Sequence, residues 1–255
     1  NGSIRPRDGG ACLPSEFCRV AATMKHFIGY SATRTGTDRA GSWIPDRQLL
    51  EYFVPPFEAA VDAGVATAME SYGEVNGEPL AASSRLLQGL LRERLGFGGL
   101  LVTDWAEIHN LHTFHRVAAS EKDAVLLAMG TSIDMSMVPT DDSFSRLLQE
   151  LVGEGKVSVS RLDISVRRAL ELKAWLGILP PAPPPGAPPP SPSAPSAVQQ
   201  AEAAALQRSV GSAADRQLSL DASRASVTLL QNRPVWSSAN GTLPAAAYAP
   251  EQCDA

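Results

Sequence analysis

The chain has 255 residues and a mass of 27.0 kDa, room for one large or two small cores and for an enzyme. With 22 basic against 27 acidic residues and a net charge of -5 it carries no electrostatic footprint for nucleic acid. No apolar run approaches the roughly 18 residues that span a bilayer, and the opening residues Asn1 to Arg7 lack the apolar centre of a signal peptide.

Short apolar runs predict strands over Val20–Met24, Val65–Met69, Gly99–Thr103 and Ser132–Met137, about four in all. Helical periodicity falls between and after them, near 46–63, 83–95, 119–129, 143–153 and 160–176. Asp46, Ser83, Asp142 and the box-like Ser160-Arg161-Leu162-Asp163 supply helix-start chemistry. Strand and helix therefore alternate, which argues a parallel α/β sheet. About four βα units make either half of a (β/α)8 barrel or a small doubly wound sheet, and the count leaves both open.

Ten of the 20 prolines lie between Pro180 and Pro195, among only Ala, Gly and Ser. The segment reads as a solvated polyproline-like linker over 180–197. Beyond it, residues 198–229 read as mostly helical, before a strand-like run Ser226-Val227-Thr228-Leu229-Leu230. The expected organisation is 1–179, a linker, and 198–255 as the incomplete beginning of a second domain. Cys12, Cys18 and Cys253 are too few for a disulfide scaffold or zinc ribbon, although Cys12 and Cys18 could pair.

In a parallel α/β protein, chemistry sits where strands end at the carboxyl edge. After the first run come Lys25 and His26, after the second Met69-Glu70-Ser71-Tyr72, after the third Asp104-Trp105, and after the fourth a turn at Pro139. A cation, an imidazole, a phenol, a carboxylate and an indole on one rim suit a polyol: charged groups bind hydroxyls and an aromatic face covers a sugar ring. Each has a structural alternative. Asp104 could cap a helix, Lys25 could be a loop lysine, His26 a core histidine and Trp105 a core indole. His109, His112 and His115 form H-x-x-H-x-x-H. On a helix the outer two diverge by about 120°, so they are read as a polar surface segment and not as a metal site. Asp134 is read as a structural group within its strand. No G-x-G-x-x-G or Walker pattern occurs, and no cofactor is expected.

Lys25-His26-Phe27-Ile28-Gly29-Tyr30, Met69 through Gly77, Gly96-Phe97-Gly98-Gly99 and Leu101-Val102-Thr103-Asp104-Trp105 stand in order and spacing that resemble glycoside hydrolase family 3, in its β-glucosidase and exo-β-glucanase branch. Trp43 to Arg47, Ile133 to Pro139 and Arg161 to Arg168 extend the resemblance over residues 20–179, and Ala225 to Asn232 resembles the strand that opens the family's second domain. The resemblance implies a partial TIM-like barrel, then the start of an α/β sandwich domain. It implies a retaining, exo-acting hydrolase of terminal β-glucosyl units, with Asp104 as nucleophile. Lys25, His26, Tyr72, Trp105 and Met69 would bind substrate, a β-glucoside oligo- or polysaccharide, and Lys25 would help keep Asp104 ionised. The acid/base carboxylate would come from the second domain, outside this chain, leaving it inactive by itself. Ser132 stands where the family has glycine. By the same resemblance, a secretory, extracellular or lysosomal place is expected over a cytoplasmic one. The alternative is a non-catalytic carbohydrate-binding or degenerate fragment. Both side chains of the Lys25-His26 pair can reach one sugar only if the backbone breaks strand alternation, so irregular backbone is expected within Lys25 to Ile28, with both side chains turned toward Asp104.

Overall fold

The computed structural model describes residues 20–138, 140–179, 204, 210–230, 236–237 and 241–242. The chain divides into two compact units, Asn1–Ala182 and Pro183–Ala255. The expected linker, the three cysteines and Pro139 lie outside the described residues. No described helix is long and apolar enough to cross a membrane.

In the first unit four strands, β1 (Thr23–Phe27), β2 (Thr67–Glu70), β5 (Leu100–Trp105) and β6 (Met135–Met137), form one sheet in the order β1-β2-β5-β6 with every pair parallel. The order advances in one direction, without the reversal that defines a doubly wound sheet. Helices follow the strands: α1 (Asp46–Gln48) runs through a π-type stretch, Leu49–Phe53, into α2 (Val54–Asp62). A second π-type segment, Arg85–Arg94, precedes β5. Then come α3 (Glu107–Thr113), α4 (Glu121–Met129), α5 (Ser143–Gly153) and α6 (Val159–Trp175). Fully buried Ala68 and Leu101 from the sheet, and Ile133 just before β6, pack with Leu87, Leu91 and Leu111 from the helices, which is why the strands read as continuous apolar runs.

Several boundaries differ from those the sequence predicts. β1 begins three residues later than the first apolar run, because Val20 is 83% exposed and pairing starts only where Thr23 meets Thr67. Lys25 and His26 therefore lie within β1, and Asp104 and Trp105 are the last two residues of β5, so none of the four follows its strand. A short hairpin, β3 (Glu74–Val75) and β4 (Glu78–Pro79), is an addition to the expected elements; its Asn76-Gly77 turn, both residues at positive φ, is the signal that marks it. The capping box expected at Ser160 fails: Ser158 caps α6, accepting the Arg161 N–H at 3.2 Å. Pro45, not Asp46, precedes α1. Ser83 still bonds the Leu86 N–H at 3.2 Å, although Ser84 is the residue before the helix. At Asp142 the side chain makes no cap, and Asp141 takes the Ser143 N–H instead at 2.8 Å. Ser132 finds a partner for its hydroxyl in the Leu87 carbonyl at 2.9 Å.

In the second unit, α7 (Ala213–Ser226) opens with a capping box between Ser212 and Asp215, and a two-residue pair, β7 (Trp236–Ser237) with β8 (Gly241–Thr242), follows. The strand expected over Ser226–Leu230 is absent. Ser226 ends the helix, and Val227, Leu229 and Leu230 are exposed, outside every described sheet. β-propensity without a partner strand gives no ladder.

The chain enters β5 against β2: Leu100 N–H donates to the Ala66 carbonyl at 3.1 Å, and a Cβ on Gly99 would collide with that carbonyl oxygen. Gly99→Ala is therefore expected to cost about 1–3 kcal/mol, as overpacking does. Urea unfolding checks this, and an unchanged midpoint would show that the two strands can separate there.

Candidate active site

Three strand ends converge on Asp104. The β5 backbone carries it at the carboxyl rim, where it is 8% exposed. Its Oδ1 accepts the Trp105 N–H at 2.7 Å, and its Oδ2 faces His26 Nε2 at 3.3 Å. One oxygen is thus pinned by the chain that bears it, while the other is turned toward the neighbouring strand end. Burial holds the His26 imidazole below its ordinary range; the Asp104 charge opposes this and Lys25 adds to it. A neutral ring at pH 7 can present an N–H to the carboxylate.

The backbone of β1 breaks at this point. The Lys25–His26 and Phe27–Ile28 peptide bonds are cis, and the pairing with β2 is irregular between Met24 and Phe27. The expected irregularity is present, and His26 turns to Asp104 as expected. Lys25 does not: its side chain is exposed and forms neither hydrogen bond nor ion pair with Asp104. An ammonium stays in water unless a carboxylate comes close enough to offset desolvation, and here the imidazole occupies that approach.

Tyr72, two residues past β2, is buried, and burial together with the adjacent Asp104 charge pushes its phenol up to about 12. The Arg39 guanidinium stacks 3.8 Å above its ring. Tyr30 stands over His26 with ring centroids 4.9 Å apart and donates its hydroxyl to Asp38 at 2.5 Å. Nothing in the sequence singles out Arg39 and Asp38 for this place, since a polar loop after a strand carries no local mark of what it folds over. Trp105 is 50% exposed, and Met69 is half-buried. A phenol and an imidazole thus stand beside one carboxylate, with an exposed indole on the next residue.

Behind the rim lies a buried acidic layer that the sequence pattern does not reveal. Glu70, the last residue of β2, is 0% exposed, and its Oε1 accepts the Asp104 backbone N–H at 3.0 Å. Glu107, the first residue of α3, is also fully buried; it bonds His115 Nε2 at 2.9 Å and Asn110 Nδ2 at 2.9 Å. His115 is therefore no surface residue: its side chain is 3% exposed. The other two histidines turn elsewhere, His109 to Glu121 at 3.2 Å and His112 to the Ala118 carbonyl at 3.0 Å. A charged residue in a polar run reads as solvated, and only the β2 and α3 ends, brought side by side, bury these three.

Burial, and after it the Glu107 charge, raise the Glu70 carboxyl well above 4.5, while the N–H of Asp104 works the other way. Between the ordinary and the raised value the folded chain keeps a proton that the unfolded chain has released, so Glu70 makes stability fall as pH rises through that window. Glu70→Gln removes this titration. The melting temperature of the variant relative to the parent is expected to climb as pH rises above the ordinary carboxyl range; a difference that stays flat would show that Glu70 holds no extra proton.

Residues 11–172 match the Glycosyl hydrolase family 3 N terminal domain. The lysosomal beta glucosidase of Dictyostelium discoideum is 43% identical over 228 residues, covering 89% of this chain and 25% of that protein. The periplasmic beta-glucosidase of Salmonella typhimurium is 33% identical over 165 residues, covering 65% of this chain and 21% of that protein. Among solved structures, the β-glucosidase of Listeria innocua in complex with isofagomine superposes with a TM-score of 0.62 at 30% identity, over 66% of this chain and 23% of that one. A β-glucosidase from Erythrobacter marinus gives 0.61 at 32% identity, over 65% of this chain and 22% of that one. The chain thus spans 25% or less of the length of these relatives. Every rim group and every buried carboxyl described above falls inside the matched segment, and the chain belongs to glycosyl hydrolase family 3.

Proposed function

We propose that this chain carries the nucleophile half of a retaining, exo-acting β-glucosidase that releases terminal β-D-glucosyl units from oligo- or polysaccharides. The observation that carries the reading is the Asp104 carboxylate itself: buried at a parallel strand end, one oxygen pinned by the Trp105 N–H and the other facing His26. The carboxylate attacks the anomeric carbon, the bond from that carbon to the leaving oxygen breaks, and an acid group protonates that oxygen. Water then cleaves the glycosyl ester and Asp104 is released. His26, Tyr72 and Trp105 bind and orient the terminal sugar, with Met69 and Lys25 at its edge. The acid/base carboxylate is assigned to a segment outside this chain.

In the same reading, residues 1–179 are a sector of a (β/α)8 barrel, which the one-directional order of parallel strands supports; 180–197 are a linker, and 198–255 begin a second domain of α/β sandwich type. Relatives that are a lysosomal and a periplasmic beta-glucosidase support a glycoside substrate and a place outside the cytoplasm.

The test incubates the chain, completed to the length of its relatives, with a 2-deoxy-2-fluoro-β-glucoside bearing a good leaving group, and then maps labelled peptides by mass spectrometry. A glycosyl adduct on Asp104 is the expected result. An adduct on another residue would overturn the assignment, and tight glucose binding with neither adduct nor turnover would favour a non-catalytic sugar binder.

A further inference from the structure

We propose that Glu70 is a positioning residue for Asp104: a buried carboxyl that takes the Asp104 backbone N–H and holds the end of β5 where the Asp104 carboxylate meets both the Trp105 N–H and His26. The inference rests on the reading of Asp104 as nucleophile.

Its first ground is where the ladder stops. β2 and β5 pair in register from Thr67 opposite Leu100 to Met69 opposite Val102, and no further. On the other side, the pairing of β5 with β6 is irregular between Val102 and Trp105. Asp104 falls in the gap on both sides, so side chains hold its peptide groups instead. Glu70 Oε1 accepts its N–H at 3.0 Å, and the Thr103 hydroxyl donates to its carbonyl at 2.8 Å while accepting the Met137 N–H at 2.9 Å. Two side-chain clamps therefore set the rotation of the residue that would attack.

The second ground is the cost of placing Glu70 there. It is fully buried, and its Oε2 has no hydrogen-bond partner. It stands opposite Phe27 in the ladder and two residues from Ala68 on its own strand, both fully buried, so packing alone would be served by an apolar side chain. The hydrogen bond this carboxyl makes goes to the backbone of Asp104.

The acceptor itself gives the third. Burial, and after it the Glu107 charge, push the Glu70 carboxyl above its ordinary range, and in either protonation state it offers an oxygen to the Asp104 N–H. Glutamine at 70 offers the same acceptor, and methionine has similar length with no acceptor.

Kinetics of Glu70→Gln and Glu70→Met in the chain completed to its relatives' length, with an aryl β-glucoside, test this. The glutamine variant is expected to stay within about threefold of the parent in kcat with the same pH profile; the methionine variant is expected to lose about 100-fold in kcat with KM within about threefold, as a nucleophile displaced by about 1 Å would. Glu70→Gln falling as far as Glu70→Met, a methionine variant within about tenfold of the parent, or a loss confined to KM would each overturn the proposal. A readout without turnover decides it separately in the 255-residue chain: the His26 imidazole titration followed by NMR, assigned through His26→Asn, should move in Glu70→Met and stay in place in Glu70→Gln. No movement in either variant overturns it even where a variant is too unstable to assay for turnover. Activity that survives Asp104→Ala would sink the nucleophile reading alone, leaving this titration to judge Glu70.

Discussion

Asp104→Ala, in the chain completed to the length of its relatives, is expected to lower kcat/KM for an aryl β-glucoside by at least about 1,000-fold. The size follows from what the side chain would supply. Without a carboxylate at the anomeric carbon the covalent step has no nucleophile, and a rate loss of that order corresponds to about 4 kcal/mol of transition-state stabilisation. Neither neighbouring carboxyl is placed to take over. Glu70 and Glu107 are buried behind the strand end, with Glu70 bonded to the Asp104 backbone and Glu107 to His115 and Asn110. Azide sharpens the test, because a small anion entering the space left by Asp104 should attack the sugar from the same side and yield the inverted glycosyl azide. A loss of less than about tenfold, with no effect of azide, would remove Asp104 from the mechanism.

Asp134→Ala is expected to destabilise the chain by about 3–5 kcal/mol, the cost of breaking a buried ion pair and leaving one charge behind. The Asp134 side chain is 0% exposed. Its Oδ2 accepts Arg92 Nη2 at 2.6 Å and the Leu101 N–H at 3.0 Å, while its Oδ1 accepts Ser165 Oγ and Arg168 Nη1, each at 2.8 Å. Arg92 also ties the Phe97, Gly99 and Ser132 carbonyls together. Burial lowers that guanidinium to about 10 even with Asp134 beside it. The carboxylate therefore joins the segment before β5, the start of β6 and α6 in one network. Arg92→Met combined with Asp134→Ala should lose less than the sum of the single changes, since the more deeply buried of the two arginine charges is then removed with its partner. Urea unfolding reads both, and a loss under about 1 kcal/mol for Asp134→Ala would show that water reaches Arg92.

Much of the rim is legible in the sequence. Asp104, His26 and Tyr72 stand at the ends of apolar runs, and a parallel α/β chain puts all such ends on one edge. Asp134 reads as a structural group, and the structure gives it two arginines as partners. The histidine triplet reads as a surface segment, yet His115 is buried beside Glu107. The difference is one of range. Asp134 sits inside an apolar run that announces its burial, whereas Glu107 and His115 sit in a polar stretch and are covered by elements from elsewhere in the chain.

By itself the sequence determined the alternation of strand and helix, the order of the strands' chemistry-bearing ends and the family pattern, because apolar period and motif spacing are properties of neighbouring residues. The tertiary structure alone decided which residues begin and end each strand, since a strand's limits are set by its partner's hydrogen bonds: pairing with Thr67 moved β1 onto Lys25 and His26, and the lack of a partner left Val227 to Leu230 without a ladder. It also decided that His26 and not Lys25 meets Asp104, and that Glu70, Glu107 and His115 form a buried layer behind it. Burial is a relation between distant segments, and no local pattern of charge encodes it.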